Sequence, residues 1–338
     1  MFVCAKNGNP IFNRWYPSME LKRIRAPWSF RPLNREAPVA GAPSFADEPG
    51  SGFRRSRRAK PGPAAPRLDA NEGAILAPRY GCQLTWIGHA SFLLQLGTCN
   101  VLIDPVLSSR RIGKMKRYVE PGLSLEQLPP IHGLLITHEH PDHLDDWTVR
   151  RLPPTTHVIA PKGLASYFEQ RRLSRVTELD WWQSTELAAA DPVVVTLVPA
   201  RHGSPGSGVF ERAKALCGGF VVESSSHGIY HSGDTAFFDG FAELGARFPH
   251  LDAALLPVGA YEREEKGRRR HMTPEEAGRA FLQCGAHRLV PMHWGTFQLA
   301  DEPLREGADR LRSWWYHAAL GDDRRLTEMA VGETIGWD

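Results

Sequence analysis

Between His138 and His143 the chain gathers three imidazoles and the carboxylate of Asp142, in the string Thr137-His138-Glu139-His140-Pro141-Asp142-His143. Neutral imidazole nitrogen and carboxylate oxygen are ligands of zinc and similar borderline cations. Core packing offers no reason to concentrate them in this way. The spacing splits them into two pairs. His138 and His140, two apart just after an apolar run, can converge on one ion. Asp142 and His143, on the turn towards the next helix, are displaced enough to hold a second. A single ion seldom takes four ligands from so short a loop and still keeps a position open for chemistry.

Further ligands must come from elsewhere, and three candidates occupy equivalent places. His202 follows VVVTLVPAR, Asp234 follows GIYHSG, and His293 closes RLVPM. Each lies just beyond an apolar run, as the first cluster lies beyond GLLIT, and the ends of strands are where loops converge on a site in α/β sheets. Taken alone, each reads as a polar residue at a strand end or in a turn. Taken together, with Asp234 bridging, they complete three protein ligands for each of two metals. The histidines at 132, 157, 227, 231, 250, 287 and 317 have no such spacing and read as surface or packing residues.

The elements that must position these ligands are legible as β-type runs. LTWIGHASFLLQL, the turn-like GTCN and VLIDP read as a two-stranded hairpin, followed by runs at 133–137, 157–161, 193–199, 218–223, 228–232, 253–259 and 288–293. One helix is well signed. In HMTPEEAGRAFLQCG, Thr273 is the N-cap, Pro274 takes the first helical position and Glu276 closes a capping box. Ala277, Ala280, Phe281 and Cys284 form its apolar face, and Gly285 supplies the stop. Strands followed by interleaved helices predict an α/β protein of mixed sheets covered by helices.

The net charge of +3 conceals two kinds of chain. Residues 1–80 hold 14 Lys/Arg against 6 Asp/Glu and contain 11 of the 27 prolines, whereas residues 81–338 carry a surplus of acid. Proline at that density blocks helix interiors and sheet ladders. Residues 1–80 therefore read as a basic, partly disordered arm, with Gly50 to Pro66 a mobile linker, and residues 81–338 as the catalytic domain. A basic and aromatic arm can lie on the folded body, and its composition also allows peripheral contact with the inner face of an anionic membrane. It lacks repeated stacking aromatics, so no nucleic acid is expected. Five cysteines without a C-x-x-C pair argue against a disulfide scaffold or a Cys-rich zinc knuckle. No run approaches the roughly 18 apolar residues of a spanning helix, and the start turns polar too early for a signal peptide. A cytoplasmic location is the expectation, and the sequence allows a homodimer. Neither a G-x-S-x-G elbow nor a P-loop is present.

The ligand constellation resembles the metallo-β-lactamase superfamily over roughly residues 80–330. The ordered strings LTWIGHAS, LIDPVLSSR, LPPI, LITHEHPDHLD, ELDWW, SGDTAFF, PVGAYE, HMTPEEA and MHWGTFQLADEP resemble the N-acylphosphatidylethanolamine-hydrolysing phospholipase D group and its bacterial relatives. The resemblance implies a four-layer αββα sandwich of two mixed sheets, with two Zn2+ per chain or other divalent metals in their place. It assigns His138, His140 and His202 to one zinc and Asp142, His143 and His293 to the other, with Asp234 bridging. It also implies a place beside the active site for His271, where the N-terminus of the following helix favours an anion. It makes His89 and Asp104 orienting partners of ligands. Trp181 and Trp182 match the group as well, and core packing is their expected role.

Three features depart from that group. REEKGRRR at 263–270 stands where proline and apolar residues usually follow GAYE, Cys217 stands where the group tends to have Trp, and the basic arm has no counterpart. The leading expectation is a dizinc phosphodiesterase of phospholipase D type, acting on N-acylphosphatidylethanolamine-like or other glycerophosphodiester substrates through a metal-bridging hydroxide. Asp142 orients that hydroxide and accepts its proton, His271 donates to the phosphoryl or leaving oxygen, and Arg268, Arg269 and Arg270 attract the anion. A lactonase or amide hydrolase using the same ligands is the alternative. A metal-binding regulator without catalysis ranks behind both.

Overall fold

Alternating apolar side chains divide the early strands between two interiors, the pattern expected of a sheet covered on both faces. In β1 (Cys82–Gly88), Cys82, Leu84 and Trp86 face one core and Ile87 the other. The same split separates Phe92 and Leu94 from Leu93 in β2 (Ser91–Leu96), and Val101 and Ile103 from Leu102 in β3 (Cys99–Ile103). It continues in β4 (Gly133–Leu135) and β5 (Val158–Pro161), beyond which lies β6 (Val176–Leu179). The outer core is closed by Ile75 of α1 (Glu72–Leu76), Val149 of α2 (Asp146–Val149) and Phe168 of α3 (Ala165–Glu169). The computed structural model describes residues 59–77, 81–109, 111–113, 115–202, 215–261 and 270–337, and the backbone of 264–265 and 268–269. What the sequence predicts for residues 1–58 lies outside the described residues.

A second sheet repeats the plan of the first. β7 (Ser184–Leu187), β8 (Val193–Pro199), β9 (Gly218–Glu223) and β10 (Gly228–His231) are antiparallel neighbours. β11 (Ala253–Pro257) then runs parallel to β10. After the short hairpin of β12 (Glu264–Glu265) and β13 (Arg268–Arg269), β14 (Arg288–Met292) and β15 (Arg325–Leu326) extend the parallel half. β16 (Thr334–Trp337) returns to the first sheet and pairs with β1. Each sheet therefore has seven strands, in the orders 16-1-2-3-4-5-6 and 15-14-11-10-9-8-7. The core between the sheets runs on into α4 (Gly240–Arg247), α5 (Pro274–Cys284) and α6 (Glu306–Ala318). Of these, α5 lies between α4 and α6 and packs on β11. Two mixed sheets with helices outside them form the expected sandwich.

The run 84–96, read from sequence as one strand, is two. Gly88 at φ 123° and His89 at φ 55° turn the chain back on itself, and β1 pairs with β2 across that turn. A glycine at such an angle avoids the clash that any Cβ would meet. Residues 59–77, which the sequence assigned to the arm, are fastened to the body. Ala59 and Leu68 donate backbone hydrogen bonds to Asp301 and Val331, and Ala65 is buried in the central core. Among the described residues, no helix is long and apolar enough to cross a membrane.

The signed helix forms as written, with both capping-box hydrogen bonds between Thr273 and Glu276, and Gly285 at φ 74° as the stop. It sets the entry angle of the preceding His271. At Gly259 the chain passes so close to the next ligand strand that an added Cβ would stand 2.0 Å from the His293 carbonyl oxygen. Gly259→Ala is expected to cost about 1–3 kcal/mol, as overpacking does, and Thr273→Ala about 1 kcal/mol through the lost cap. Denaturant midpoints of the two purified variants check both values.

Candidate metal centre

Six loops meet at one end of the sandwich, each leaving the C-terminal end of a strand. β1 delivers His89, β3 Asp104, β4 the His138–His143 loop, β8 His202, β10 Asp234 and β14 His293. Three of these residues, His89, Asp104 and His293, sit in the left-handed region at φ 55°, 43° and 64°. Such strain in non-glycine residues costs about 1–3 kcal/mol each and is tolerated where surrounding structure imposes it. Of the seven expected ligands all are buried except His140, which is half-buried and marks the open side.

Outward hydrogen bonds fix which nitrogen each imidazole turns inward. Thr137 Oγ1 donates to Asp104 Oδ2 at 2.6 Å, so it accepts from His138 Nδ1 at 2.9 Å and leaves Nε2 of His138 facing in. His143 Nδ1 donates to the same Asp104 oxygen at 2.7 Å, and His202 Nδ1 donates to the Arg270 carbonyl at 2.9 Å. Orienting partners of this kind hold a ligand's tautomer and ring plane. The inward atoms then form two groups. His140 Nδ1 lies 2.9 Å from His138 Nε2 and 3.1 Å from His202 Nε2, and Asp234 Oδ2 is 3.7 Å from each of the latter two. In the second group, Asp142 Oδ2 lies 3.7 Å from His143 Nε2 and 3.5 Å from His293 Nε2. Asp234 reaches this group too, at 3.3 Å from His143 Nε2 and, through Oδ1, 3.1 Å from His293 Nε2.

The donor set fits two cations. Nε2 of His143, Nε2 of His293 and Oδ1 of Asp234 are buried without a hydrogen-bond partner, and buried lone pairs left uncompensated are costly. Two nitrogens with fixed inward lone pairs face His140 Nδ1 at hydrogen-bond distance, an arrangement that only a shared electrophile relieves at every atom. The charge balance agrees. Burial holds His138 well below its ordinary pKa and His202 down at about 4, so these ligands are neutral. Burial also opposes charge on His143 and His293, but Asp234 foremost overrides it, raising His143 well above its ordinary value and His293 to about 9. Positive charge is favoured where the two carboxylates converge. Those carboxylates, despite burial, are held well below the usual range, with His143 the strongest charge acting on each.

The His89 ring reaches Asp142, its Nε2 donating to Oδ2 at 3.0 Å, and burial keeps its pKa down at about 3. Asp104 accepts from the Thr137 N–H as well as from Thr137 Oγ1 and His143. His271 joins the group. Its Nδ1 is 3.9 Å from Asp234 Oδ2, and its ring centroid lies 4.9 Å from that of His202 and 5.1 Å from that of His293. Arg270 meets the site through its carbonyl, while the side chains of Arg268 and Arg269 lie outside the described residues. Trp181 and Trp182 pack against the core, and the Trp181 indole donates to the Cys217 carbonyl. Sequence reasoning missed Thr137, which relays Asp104 to His138, and Thr296, whose hydroxyl accepts from the His89 N–H. The first adjoins the ligand string; the second carries no local signal.

A family model described as a β-lactamase superfamily domain matches residues 99–294. An uncharacterized protein of Mycobacterium tuberculosis is 35% identical over 268 residues, covering 76% of this chain and 68% of that one. The N-acyl-phosphatidylethanolamine-hydrolyzing phospholipase D 1 of Caenorhabditis elegans is 31% identical over 247 residues, 69% of either chain. Among solved structures, a metallo hydrolase of the archaeon Ignicoccus hospitalis superposes at a TM-score of 0.57 with 22% identity, over 76% of this chain and 98% of that one, a likeness of fold.

The binuclear site predicts two divalent ions per purified chain by elemental analysis. Asp104→Asn removes the acceptor shared by Thr137 and His143, and chelator competition is expected to show metal affinity weakened about 10–100-fold.

Proposed function

We propose a phosphodiesterase activity of phospholipase D type for this chain, which belongs to the metallo-β-lactamase superfamily and is a metal-dependent hydrolase of that fold. The observation that carries the reading is His271. It is a buried imidazole beside both ligand groups, its Nδ1 has no hydrogen-bond partner, and it is held at the entry of a capped helix whose positive end favours anions. The likeness to the nematode phospholipase D supports the same substrate class. N-acylphosphatidylethanolamine-like and other glycerophosphodiesters are the proposed substrates, and zinc the proposed metal.

When bound, a pair of divalent cations supplies water activation and Lewis-acid stabilisation of charge on the substrate oxygens. The chain's own groups do the rest. Asp142, oriented by the His89 N–H, aligns the attacking water and takes its proton. Burial holds His271 neutral at working pH, although Asp234 pulls the other way. It therefore donates a hydrogen bond to a phosphoryl oxygen as charge builds there. The water oxygen bonds to phosphorus as the bond to the leaving alcohol breaks, and the proton taken by Asp142 balances the one the departing alkoxide takes up.

One observation favours a second reading. The segment after Tyr261 forms a hairpin pairing Glu264 with Arg269 and Glu265 with Arg268, where an entrance for acyl chains calls for apolar residues. A small carbonyl substrate, a lactone or amide, suits such a rim. The metal-loaded enzyme is tested on a chromogenic phosphodiester, on N-acylphosphatidylethanolamine in micelles and on a lactone panel. Phosphodiester turnover is expected, with kcat reduced about 10²–10⁴-fold in Asp142→Asn and about 10²–10³-fold in His271→Ala. Lactone turnover without phosphodiester turnover overturns the first reading in favour of the second.

A lipid substrate also gives the basic arm a role, as a peripheral contact with an anionic membrane. Residues 59–77 belong to the packed body, so the informative deletion ends at residue 58. Removing residues 1–58 is expected to abolish cosedimentation with phosphatidylglycerol vesicles while leaving turnover of the soluble diester unchanged.

A further inference from the structure

His231, at the end of β10, is fully buried and stands outside the ligand set. Both ring nitrogens are engaged with backbone. Nδ1 accepts the Gly233 N–H at 3.1 Å, and Nε2 donates to the Ala90 carbonyl at 2.9 Å. One nitrogen accepting and the other donating define the neutral ring, and burial keeps the pKa of His231 below its ordinary value. The Phe92 ring, edge-on with centroids 5.9 Å apart, holds the plane of the imidazole.

The two backbone partners are not ordinary neighbours. Gly233 immediately precedes Asp234, the carboxylate shared by both metal groups, and Ala90 immediately follows His89 in the strained turn between β1 and β2. That turn is already tied to the rest of the centre. The His89 ring donates to Asp142, the His89 carbonyl accepts from the His293 N–H at 3.0 Å, and Ser91 Oγ donates to the Asp104 carbonyl at 2.7 Å. His231 adds the Asp234 loop to the same anchor.

We propose that His231 is a positioning residue for the metal centre, clamping the Asp234 loop to the β1–β2 turn so that one carboxylate reaches both metal groups. The span explains the residue type. An imidazole puts a donor and an acceptor on opposite edges of a rigid ring, and here each edge meets a different loop. A flexible amide carries the same two functions on one end and cannot hold both at this separation. Asp234 has little latitude, since its two oxygens must stay within 3.1–3.7 Å of four imidazoles on three other loops. The inference concerns the metal centre and is independent of which substrate is hydrolysed.

The test is metal affinity, measured by chelator competition with Zn2+ on His231→Phe, His231→Gln, Tyr230→Phe and wild type, alongside the melting temperature of each chain in excess chelator. His231→Phe keeps a ring and loses both clamps, and its affinity is expected to fall about 10–100-fold. His231→Gln, which can restore the Ala90 contact, is expected to fall less. Tyr230→Phe alters a buried neighbour whose hydroxyl has no hydrogen-bond partner, and its affinity is expected to match wild type. Wild-type affinity in both His231 variants, or a lowered metal-free melting temperature with affinity unchanged, overturns the proposal. Should His231→Phe fail to fold, His231→Gln decides, with an affinity within twofold of wild type counting against. A wild-type chain that binds no Zn2+ overturns the metal centre itself.

Discussion

Everything at the active end of this molecule answers to one electrostatic constraint. Seven electron-pair donors, five imidazoles and two carboxylates, are packed within a few ångströms of one another, and all but His140 are buried. Without cations this crowd is unfavourable, because buried lone pairs repel and have been removed from water. The fold imposes the arrangement by tying each outward edge to something rigid. Asp104 holds His143 directly and His138 through Thr137, the Arg270 carbonyl holds His202, and His89 holds Asp142. Cation binding thus returns energy already invested in positioning, and metal affinity becomes a property of these supporting contacts as much as of the ligands.

The architecture follows from the same need. Two sheets of like plan, each with an antiparallel and a parallel half, stack so that the ends of six strands open on one edge. No single β-α unit presents six side chains to one point. Two stacked sheets do, at the cost of left-handed backbone at His89, Asp104 and His293. The large core between the sheets and the helices outside them supply the stability that this strain consumes. The centre is thereby held rigid, with His140 its one half-buried expected ligand.

Much of the fold was legible in the chain. The strands β8, β9 and β10 and the capped helix α5 were visible because apolar runs bounded by turn residues and a Thr-Pro-x-Glu entry specify their structure locally. The weak points were equally physical. β6 and β7 are edge strands whose sequences VTEL and STEL are polar and half-exposed, so they carry no hydrophobic period to read. The turn at His89 was hidden inside an apolar run, since Trp86, Ile87, Ala90 and Phe92 are buried on both sides of it. Residues 59–77 read as part of the arm because prolines punctuate them, yet a stretch with a single short helix can be fastened by a few backbone hydrogen bonds.

The sequence by itself singled out the candidate ligands. Imidazole and carboxylate at His138, His140, Asp142 and His143 are too dense for any other use, and the three remote ligands each end an apolar strand. It could not determine which atoms face one another, because that depends on residues far apart in the chain. Only the tertiary structure set the distances from Asp234 to both metal groups, placed Thr137 on His138 and Thr296 on the His89 N–H, and joined His231 to Ala90, 141 positions away in the chain. Ligand identity is a matter of local chemistry, whereas tautomer, distance and orientation are set by hydrogen bonds across the core, which no local pattern encodes.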